Sequence, residues 1–351
     1  MQTKISNTLK LLVALIIFFA MSHSVGTAQS KVGTTTAQFL GIAVGPRAIA
    51  MGGAYVASSE DVTSLFWNPG AFSQAPSSEF VFSNTEWLVG SKFRWFGFML
   101  NLDGMNALGL SLTQLDYGEE DVTTVEAPDG NGQRWSANDL AIGLSYSRCL
   151  TDRFSIGGTA KYVSQRVWNE SASTITFDLG LLFVTNFHNM RLGMSMANFG
   201  GDMTLDGKDL FQRVDIDPSN SGSNKTLIGK LKTDPWAMPL LFRVGVAMDC
   251  IKDDAITATI AVDALRPNDN NTSINVGGEV AWMNMLFLRA GCASILTDGG
   301  GYAQSTSQQG VSFGAGFRYT LSSMGALEFD YALNKFGLFG NLNTIAVSIR
   351  F

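Results

Sequence analysis

Ten charged side chains lie within segments that otherwise alternate between apolar and small or polar residues. Five are basic and five acidic, and all fall on the face opposite the apolar one. Opposite charges on one buried face can pair with each other, whereas a selective pore tends to carry a ring of one sign. The balance favours an internal charge network, with an ion or substrate path as the alternative. The ten residues are Lys161, Asp178, Arg243, Asp263, Glu279, Arg289, Arg318, Glu328, Asp330 and Arg350.

Residues suited to enzyme catalysis are scarce. The chain has two histidines, and only His188 lies beyond the amino-terminal leader. One histidine in a predicted turn supports neither a histidine-based triad nor a multi-histidine metal site. The oxygen-rich stretches 127–133 and 266–271 resemble calcium-binding loops in composition, but we interpret them as solvated loop tips. We therefore predict no catalytic, metal or cofactor site and no enzyme activity.

The first residues are typical of a secretory signal peptide. Lys4 and Lys10 flank an apolar core over 11–20, and small residues precede a cleavage point after Ala28. An uncleaved membrane anchor is the alternative, but the core is short and no stop-transfer charges follow it. We predict that 1–28 is a signal peptide. Its removal moves the net charge from −6 to −8, since 22 bases remain against 30 acids. Such an acidic exported chain is a poor nucleic-acid binder.

The composition suits a membrane protein without membrane helices. Charged residues make up 15% of the chain, against about 25% in soluble domains. The longest apolar stretch of the mature chain, 280–296, is interrupted by Asn284 and Arg289 and is too short for a spanning helix. We therefore expect the membrane to be crossed by strands.

From residue 79 onward the sequence alternates with period two, as in strands with two different faces. Fourteen such segments have the length of tilted membrane strands, for which about 9–11 residues are needed. Because hydrocarbon tolerates no unpaired strand edge, we predict an all-β, transmembrane antiparallel β-barrel over 79–351. A water-soluble β-sandwich is the alternative. The segments are 79–90, 92–102, 105–116, 136–149, 154–167, 173–185, 190–200, 239–250, 255–265, 272–282, 285–296, 310–320, 325–333 and 341–351.

The connections predict the orientation of the barrel. Tight turns follow the even-numbered segments, and the long pieces 117–135, 201–238, 297–309 and 334–340 follow odd-numbered ones. Outer-membrane barrels have short periplasmic turns and long outer loops, so we place both termini in the periplasm of a Gram-negative bacterium. The chain ends in Phe351, and a carboxy-terminal aromatic resembles the signal that the barrel assembly machinery recognises.

A barrel of fourteen strands encloses more space than its small inward side chains can fill. The segment 29–78 is the only substantial part of the mature chain outside the barrel, and it is too apolar for a disordered tail. We therefore predict an amino-terminal plug, or hatch, in the lumen. Its glycines and its Asn-Pro step permit tight turns, and its aromatic residues supply anchoring bulk. The candidate hatch residues are Arg47, Gly52, Gly53, Trp67, Asn68 and Pro69.

The stretch "VGPRAIAMGGAYVASSEDVTSLFWNPGAF" closely resembles the amino-terminal signature of the PorV/PorQ family, outer-membrane proteins distantly similar to FadL-type barrels. Later segments such as "FDLGLLF" and "RLGMSMANFGG" are similar to the family as well. The resemblance implies a fourteen-stranded barrel with an amino-terminal hatch. It also implies a role in type IX secretion, in which such barrels bind carboxy-terminal cargo domains and pass them from the translocon to an attachment complex.

Two functional hypotheses follow from these features. As a secretion partner, the protein would bind cargo domains or a partner barrel through the long loop 201–238, which is rich in apolar residues. As a FadL-like transporter, it would bind a hydrophobic small molecule between hatch and wall. In either case we expect outer-membrane lipid as its surroundings and no nucleic-acid partner. The candidate partner residues are Phe211, Ile216, Leu227, Ile228, Leu231 and Trp236.

Overall fold

The structure is a computed structural model that describes residues 33–215, 219, 227–297, 310–321 and 325–351. The predicted signal peptide lies outside the described residues, as does Ile216 of the predicted partner loop. No helix within the described ranges has the length and apolar character needed to cross a membrane.

The described residues form one large antiparallel sheet and one short hairpin. The long strands alternate as the sequence predicts, and each pairs with its neighbours in sequence order. The strands are β1 Glu79–Glu86, β2 Lys92–Asn101, β3 Asn106–Asp121, β4 Arg134–Thr151, β5 Phe154–Val167, β6 Glu170–Val184, β7 Arg191–Gly200, β8 Asp206–Gly207, β9 Phe211–Val214, β10 Leu227–Lys230, β11 Leu241–Lys252, β12 Ile256–Pro267, β13 Ser273–Trp282, β14 Leu286–Thr297, β15 Val311–Thr320, β16 Ala326–Lys335 and β17 Asn341–Arg350.

The sheet closes into a barrel of fourteen strands. β1 pairs with the last strand, β17, with Phe80 opposite Ile349. β7 pairs with β11 across the three short strands between them, of which β9 and β10 form the separate hairpin. Closure leaves no wall edge unpaired, which is what hydrocarbon requires of a sheet. The predicted fold class and strand number are confirmed.

The two faces of the wall differ as the period-two pattern predicts. On β6, Phe177 and Leu179 point outward and are 50% and 57% exposed, whereas Thr176 and Asp178 point inward and are buried. On β14, Leu288 is 67% exposed and Arg289 is 4% exposed. An apolar outer band and a polar inner face are the expected arrangement for a membrane barrel.

The predicted loop 117–135 is wrong in its bounds, because β3 and β4 extend beyond the apolar alternation. Glu119 and Glu120 pair with Ser136 and Trp135 across the two strands, and only 122–133 remain as a loop. A salt bridge of 3.1 Å between Arg134 and Glu119 joins the extended ends. These polar residues stand above the apolar band, where strand pairing needs no hydrophobic face.

The hatch segment, defined here as residues 33–78, has little regular structure. It contains two short helices, Pro46–Ala50 and Ser64–Trp67, and two 3₁₀ helices, Gln38–Gly41 and Phe72–Gln74. Proline stands at the first turn of the helix Pro46–Ala50, where its missing amide hydrogen costs nothing. Further 3₁₀ helices lie in loops at Leu88–Gly90, Lys208–Leu210 and Gly337–Phe339.

The buried core lies between the hatch segment and the inner face of the wall. Leu65 and Phe72 of the hatch segment belong to one cluster with Phe93, Trp95 and Met99 of β2, and all five are 2% exposed or less. A barrel has no second sheet to pack against, so the hatch segment supplies the apolar surface that these inward aromatic residues need.

Candidate functional site

The hatch backbone lies directly against two wall glycines. A Cβ atom at Gly277 of β13 would overlap the Met51 carbonyl group, and one at Gly291 of β14 would lie 2.6 Å from the Met51 carbonyl oxygen. Gly52 has φ +65°, and its own Cβ would lie 2.6 Å from the Cys292 backbone nitrogen. Only glycine permits this close approach of three backbones, so the predicted role of Gly52 in a tight turn against the wall agrees with its position.

The Asn-Pro-Gly turn makes the second close contact. The Asn68 side-chain amide donates to the Val56 carbonyl at 2.9 Å and to the Leu181 carbonyl of β6 at 3.0 Å. The Gly70 amide donates to Asn68 Oδ1 at 3.0 Å, which fixes the turn around Pro69. A Cβ at Gly70 would lie 2.5 Å from the Gly180 carbonyl carbon. One side chain thus ties two parts of the hatch segment to the wall.

Trp67 anchors the middle of the hatch segment. Its indole Nε1 donates to the Val44 carbonyl at 2.9 Å, and its ring meets Tyr55 edge-on at a centroid distance of 6.0 Å. Gly53, also predicted from sequence, has φ +74° and lies beside this ring. The guanidinium of Arg243 lies 5.1 Å from the Trp67 ring centroid and 5.3 Å from that of Phe66.

The position of Arg243 differs from the predicted ion-pair network. Among the described residues it makes no salt bridge, because the aromatic rings of the hatch segment occupy the space over its guanidinium. Asp263, predicted as a network acid, accepts hydrogen bonds from the backbone amides of Tyr55 and Val56 at 2.6 and 2.8 Å. Both wall charges therefore contact the hatch segment directly.

Arg47 is the central cation between hatch and wall. Its Nε and Nη2 atoms donate to the two carboxylate oxygens of Glu279 at 2.8 and 2.7 Å, a bidentate pair. Its Nη1 lies 3.1 Å from Asp61 of the hatch segment. Burial raises the pKa of Asp61, but Arg47 and hydrogen bonds from Thr63 and Tyr55 lower it further, so the net pKa is below its usual value. Arg47 therefore holds Asp61 ionised and pairs with a second buried carboxylate, that of Glu279.

The network continues along the inner wall through Arg289, whose side chain is fully buried. Its Nε donates to Glu279 at 2.6 Å, its Nη1 bonds Asp330, and its Nη2 lies 3.7 Å from Glu328. Arg318 donates to Glu328 at 2.9 Å. Buried charges that share several partners in this way avoid the cost of an isolated ion.

The carboxy-terminal strand closes the network. Arg350 of β17 lies 3.3 Å from Glu328 and 3.4 Å from Glu79 of β1, across the seam where the barrel closes. The second carboxylate oxygen of Glu79 accepts a hydrogen bond from the backbone amide of Val62, in the hatch segment, at 3.1 Å. Six of the ten predicted charges thus form one network with Arg47, and a seventh, Asp263, binds the hatch backbone nearby. The six are Glu279, Arg289, Arg318, Glu328, Asp330 and Arg350.

Lys161 and Asp178 form a separate pair on the wall. Their charged atoms are 2.8 Å apart, and Asp178 also accepts a hydrogen bond from the backbone amide of Asn198 at 2.7 Å. Asn198 has φ 65°, and the pairing of β6 with β7 shifts register at this point. The pair therefore occupies an irregularity in the wall and does not contribute to the Arg47 network.

Sequence reasoning missed several charges that hold the hatch segment. Arg191 of β7 bonds Glu60 of the hatch segment and lies 2.6 Å from Asp249 of β11. Asp61 and Glu79 were not predicted either. The period-two pattern puts Glu79 on the inward face with Val81, so this one could have been found; the hatch acids lie outside any regular pattern.

The long loop presents apolar side chains to solvent. The hairpin β9–β10 carries Phe211 and Ile228, which are 51% and 73% exposed. Leu231 and Trp236 follow and are 56% and 50% exposed. The backbones of Trp236 and Met203 exchange two hydrogen bonds of 2.9 Å. We call Phe211, Leu227, Ile228, Leu231 and Trp236 the loop surface.

Phe351 lies just beyond β17. Its amide donates to the Ser78 carbonyl at 3.0 Å, and its ring stacks on Phe98 at a centroid distance of 6.4 Å. The ring is 56% exposed on the outer face of the barrel. Its role as an assembly signal stays a prediction. In the part of the chain that the structure describes, no group of three or more histidine, cysteine or acidic residues is arranged to hold a metal.

Solved hydrocarbon channels and toluene transporters share this fold. The CymD monoaromatic hydrocarbon channel is 15% identical over 88% of this chain and 96% of its own, with a TM-score of 0.56. The toluene transporters TbuX of Ralstonia pickettii and TodX of Pseudomonas putida are 13% and 14% identical over 88% of this chain and 98% and 96% of theirs, each with a TM-score of 0.52. At such identities the likeness establishes the fold alone, a closed antiparallel β-barrel.

The amino-terminal part of the sequence matches a family model. The family model of the type IX secretion system protein PorV matches residues 25–178, which include the hatch segment and the first strands of the wall. Over these residues the chain is similar to PorV, and the predicted resemblance is confirmed. No curated protein matches the sequence.

Proposed function

We propose that this protein is a non-enzymatic partner in type IX secretion and binds a secreted cargo domain, or a partner barrel of the translocon or attachment complex, through its loop surface. The observation that carries the proposal is the PorV match over residues 25–178. It connects the chain to a protein-secretion system, whereas the toluene and hydrocarbon channels share only its fold.

The loop surface supports a binding role. Five large apolar side chains on one loop are each at least 45% exposed, and clustered exposed apolar residues of this kind mark interaction sites. Aromatic residues such as Phe211 and Trp236 are enriched among the residues that carry binding energy. A two-stranded hairpin such as β9–β10 is only marginally stable by itself, so a partner that covers it would add stability.

The hatch contacts favour this proposal over transport. Arg47 and the Met51 backbone hold the hatch segment to β13 and β14, and Asn68 holds it to β6 in another part of the wall. A transported molecule would have to displace buried ion pairs to pass. We therefore propose that residues 29–78 form a hatch that keeps the lumen closed, and that 79–351 form the barrel that carries the binding loop.

The orientation belongs to the same proposal. Tight connections at 102–105, 152–153 and 253–255 lie at one end of the wall, and the loops 122–133 and 201–240 lie at the other. With short turns in the periplasm, as in other outer-membrane barrels, the carboxy-terminal end faces the periplasm and the loop surface faces outward. Contrary to the predicted periplasmic amino terminus, the described hatch segment begins at the loop end, where Thr35 pairs with Ala237 and donates a hydrogen bond to Asp269. Phe351 then stands at the end from which the assembly machinery acts.

A pull-down with the detergent-solubilised protein tests the proposal. The double variant Ile228→Glu/Trp236→Ala should recover at least tenfold less partner, because the loss of two central apolar contacts costs at least about 2 kcal/mol. The recovered wild-type partners should include proteins with a shared carboxy-terminal β-domain, or another outer-membrane barrel.

The matched control is Val125→Glu, which changes an apolar residue that is 96% exposed on the loop 122–133 at the same end of the barrel. It should leave recovery unchanged. If the double variant and the control recover partners as well as the wild type does, the loop surface is not the binding site.

A further inference from the structure

A groove of about 580 Å³ indents the outer face of the wall, where β4 to β7 and β11 meet. This volume falls in the range of about 300–1,000 Å³ found for small-molecule binding sites. Its outward apolar lining residues include Tyr146, Ile156, Leu179, Met194, Met196 and Phe242. The groove thus faces the membrane and is largely apolar.

The groove exists because one outward position lacks a side chain. Gly158 of β5 stands between Tyr146 of β4 and Leu179 of β6, with which it pairs directly. On both sides of it the neighbouring strands carry large residues, so the missing side chain leaves a hollow. The register shift beside Leu179, between β6 and β7, bends the wall at the same place.

A cation stands at one end of this hollow. Arg148 lines the groove and is exposed on the outward face of β4. It pairs in register with Asn106, the first residue of β3, and therefore lies at the short-turn end of the wall. Its guanidinium makes no hydrogen bond or salt bridge with any residue that the structure describes, and Asp103 in the adjacent turn interacts with it only electrostatically. An outward charge at this level needs a counter-charge or the headgroup region of the bilayer.

We propose that the groove binds one anionic phospholipid, with its phosphate on the Arg148 guanidinium and an acyl chain lying over Gly158. Charge selects the occupant: an apolar channel that ends at a guanidinium complements a hydrocarbon chain whose headgroup has a net negative charge, which the choline cation cancels in phosphatidylcholine. This site differs from the general lipid contact of the barrel, because it combines a hollow of defined shape with a headgroup ligand. The proposal rests on the outer-membrane location and is independent of the secretion role.

Native mass spectrometry of the delipidated, detergent-solubilised protein tests the site, with dioleoyl phosphatidylglycerol and the net-neutral dioleoyl phosphatidylcholine as probes. The wild type should bind one phosphatidylglycerol in preference to phosphatidylcholine. Arg148→Gln should weaken that binding about tenfold, the effect of losing one charge-assisted hydrogen bond. Gly158→Leu should weaken the binding similarly, because the leucine side chain would fill the hollow. Its Cβ would lie 3.3 Å from the Asp178 carbonyl oxygen, a tight contact.

Two controls separate this site from ordinary lipid contact. Arg153→Gln removes an exposed arginine in the turn after β4 that does not line the groove, and Gly278→Leu fills an outward position on β13. Both should bind phosphatidylglycerol as the wild type does, and heat-modifiable gel migration verifies that each variant has folded. Equal binding of the two lipids, or equal phosphatidylglycerol binding by wild type, Arg148→Gln and Gly158→Leu, would overturn the proposal.

Discussion

Replacing Arg47 with methionine should lower the free energy of unfolding by about 3–5 kcal/mol, the usual cost of removing one partner of a buried ion pair. The variant keeps the apolar stem but leaves Asp61 without its cation and deprives Glu279 of a bidentate partner. Equilibrium unfolding in guanidinium chloride, followed by tryptophan fluorescence of the reconstituted protein, measures this loss.

Arg134→Met is the matched control, since Arg134 also bonds two acids but its side chain is 58% exposed. Its loss should cost no more than about 1 kcal/mol. The double variant Arg47→Met/Asp61→Asn should recover part of the lost stability, because it no longer buries the carboxylate that has lost its cation, whereas Glu279 keeps Arg289 as a partner. Equal stabilities of Arg47→Met and Arg134→Met would show that Arg47 does not hold the hatch segment.

Gly277→Val should displace the hatch segment from the wall. The new Cβ would overlap the Met51 carbonyl and lie 2.8 Å from the Met51 Cα, and neither backbone has a flexible end that can yield. Overpacking of this kind costs about 1–3 kcal/mol or more. Limited proteolysis of the folded protein should therefore cut within 33–78 in the variant and spare that segment in the wild type.

The adjacent glycine provides the control for this substitution. Gly278 points outward, and the nearest atom to a Cβ there is the Thr259 carbonyl oxygen at 3.5 Å. Valine suits an outward strand position, so Gly278→Val should leave the hatch as resistant as in the wild type. If both variants expose 33–78 equally, the effect comes from the strand and not from contact with Met51.

The wall could be predicted from the sequence because its physics is local. In a strand, each residue alternates between lipid and lumen, so that Leu179 and Asp178 reveal their faces by spacing alone. The exception, the extension of β3 and β4 to Asp121 and Arg134, lies where water replaces lipid and apolar alternation is no longer required.

The interior was less predictable, because its contacts join distant residues. Charge balance indicated ion pairing, but no spacing rule links Arg47 to Glu279 or Glu60 to Arg191. Arg243 was expected among carboxylates, yet it lies over Phe66 and Trp67, which the fold of the hatch segment brings to it. The groove at Gly158 depends on side chains from three neighbouring strands, which only register places together.

Conductance across a planar lipid bilayer tests most directly whether residues 33–78 close the barrel. We predict that the wild-type protein carries no steady ion current, and that a folded variant lacking 33–74 conducts steadily through the emptied lumen. A wild type that conducts as well as this variant, or a folded deletion variant that remains closed, would contradict the proposed hatch.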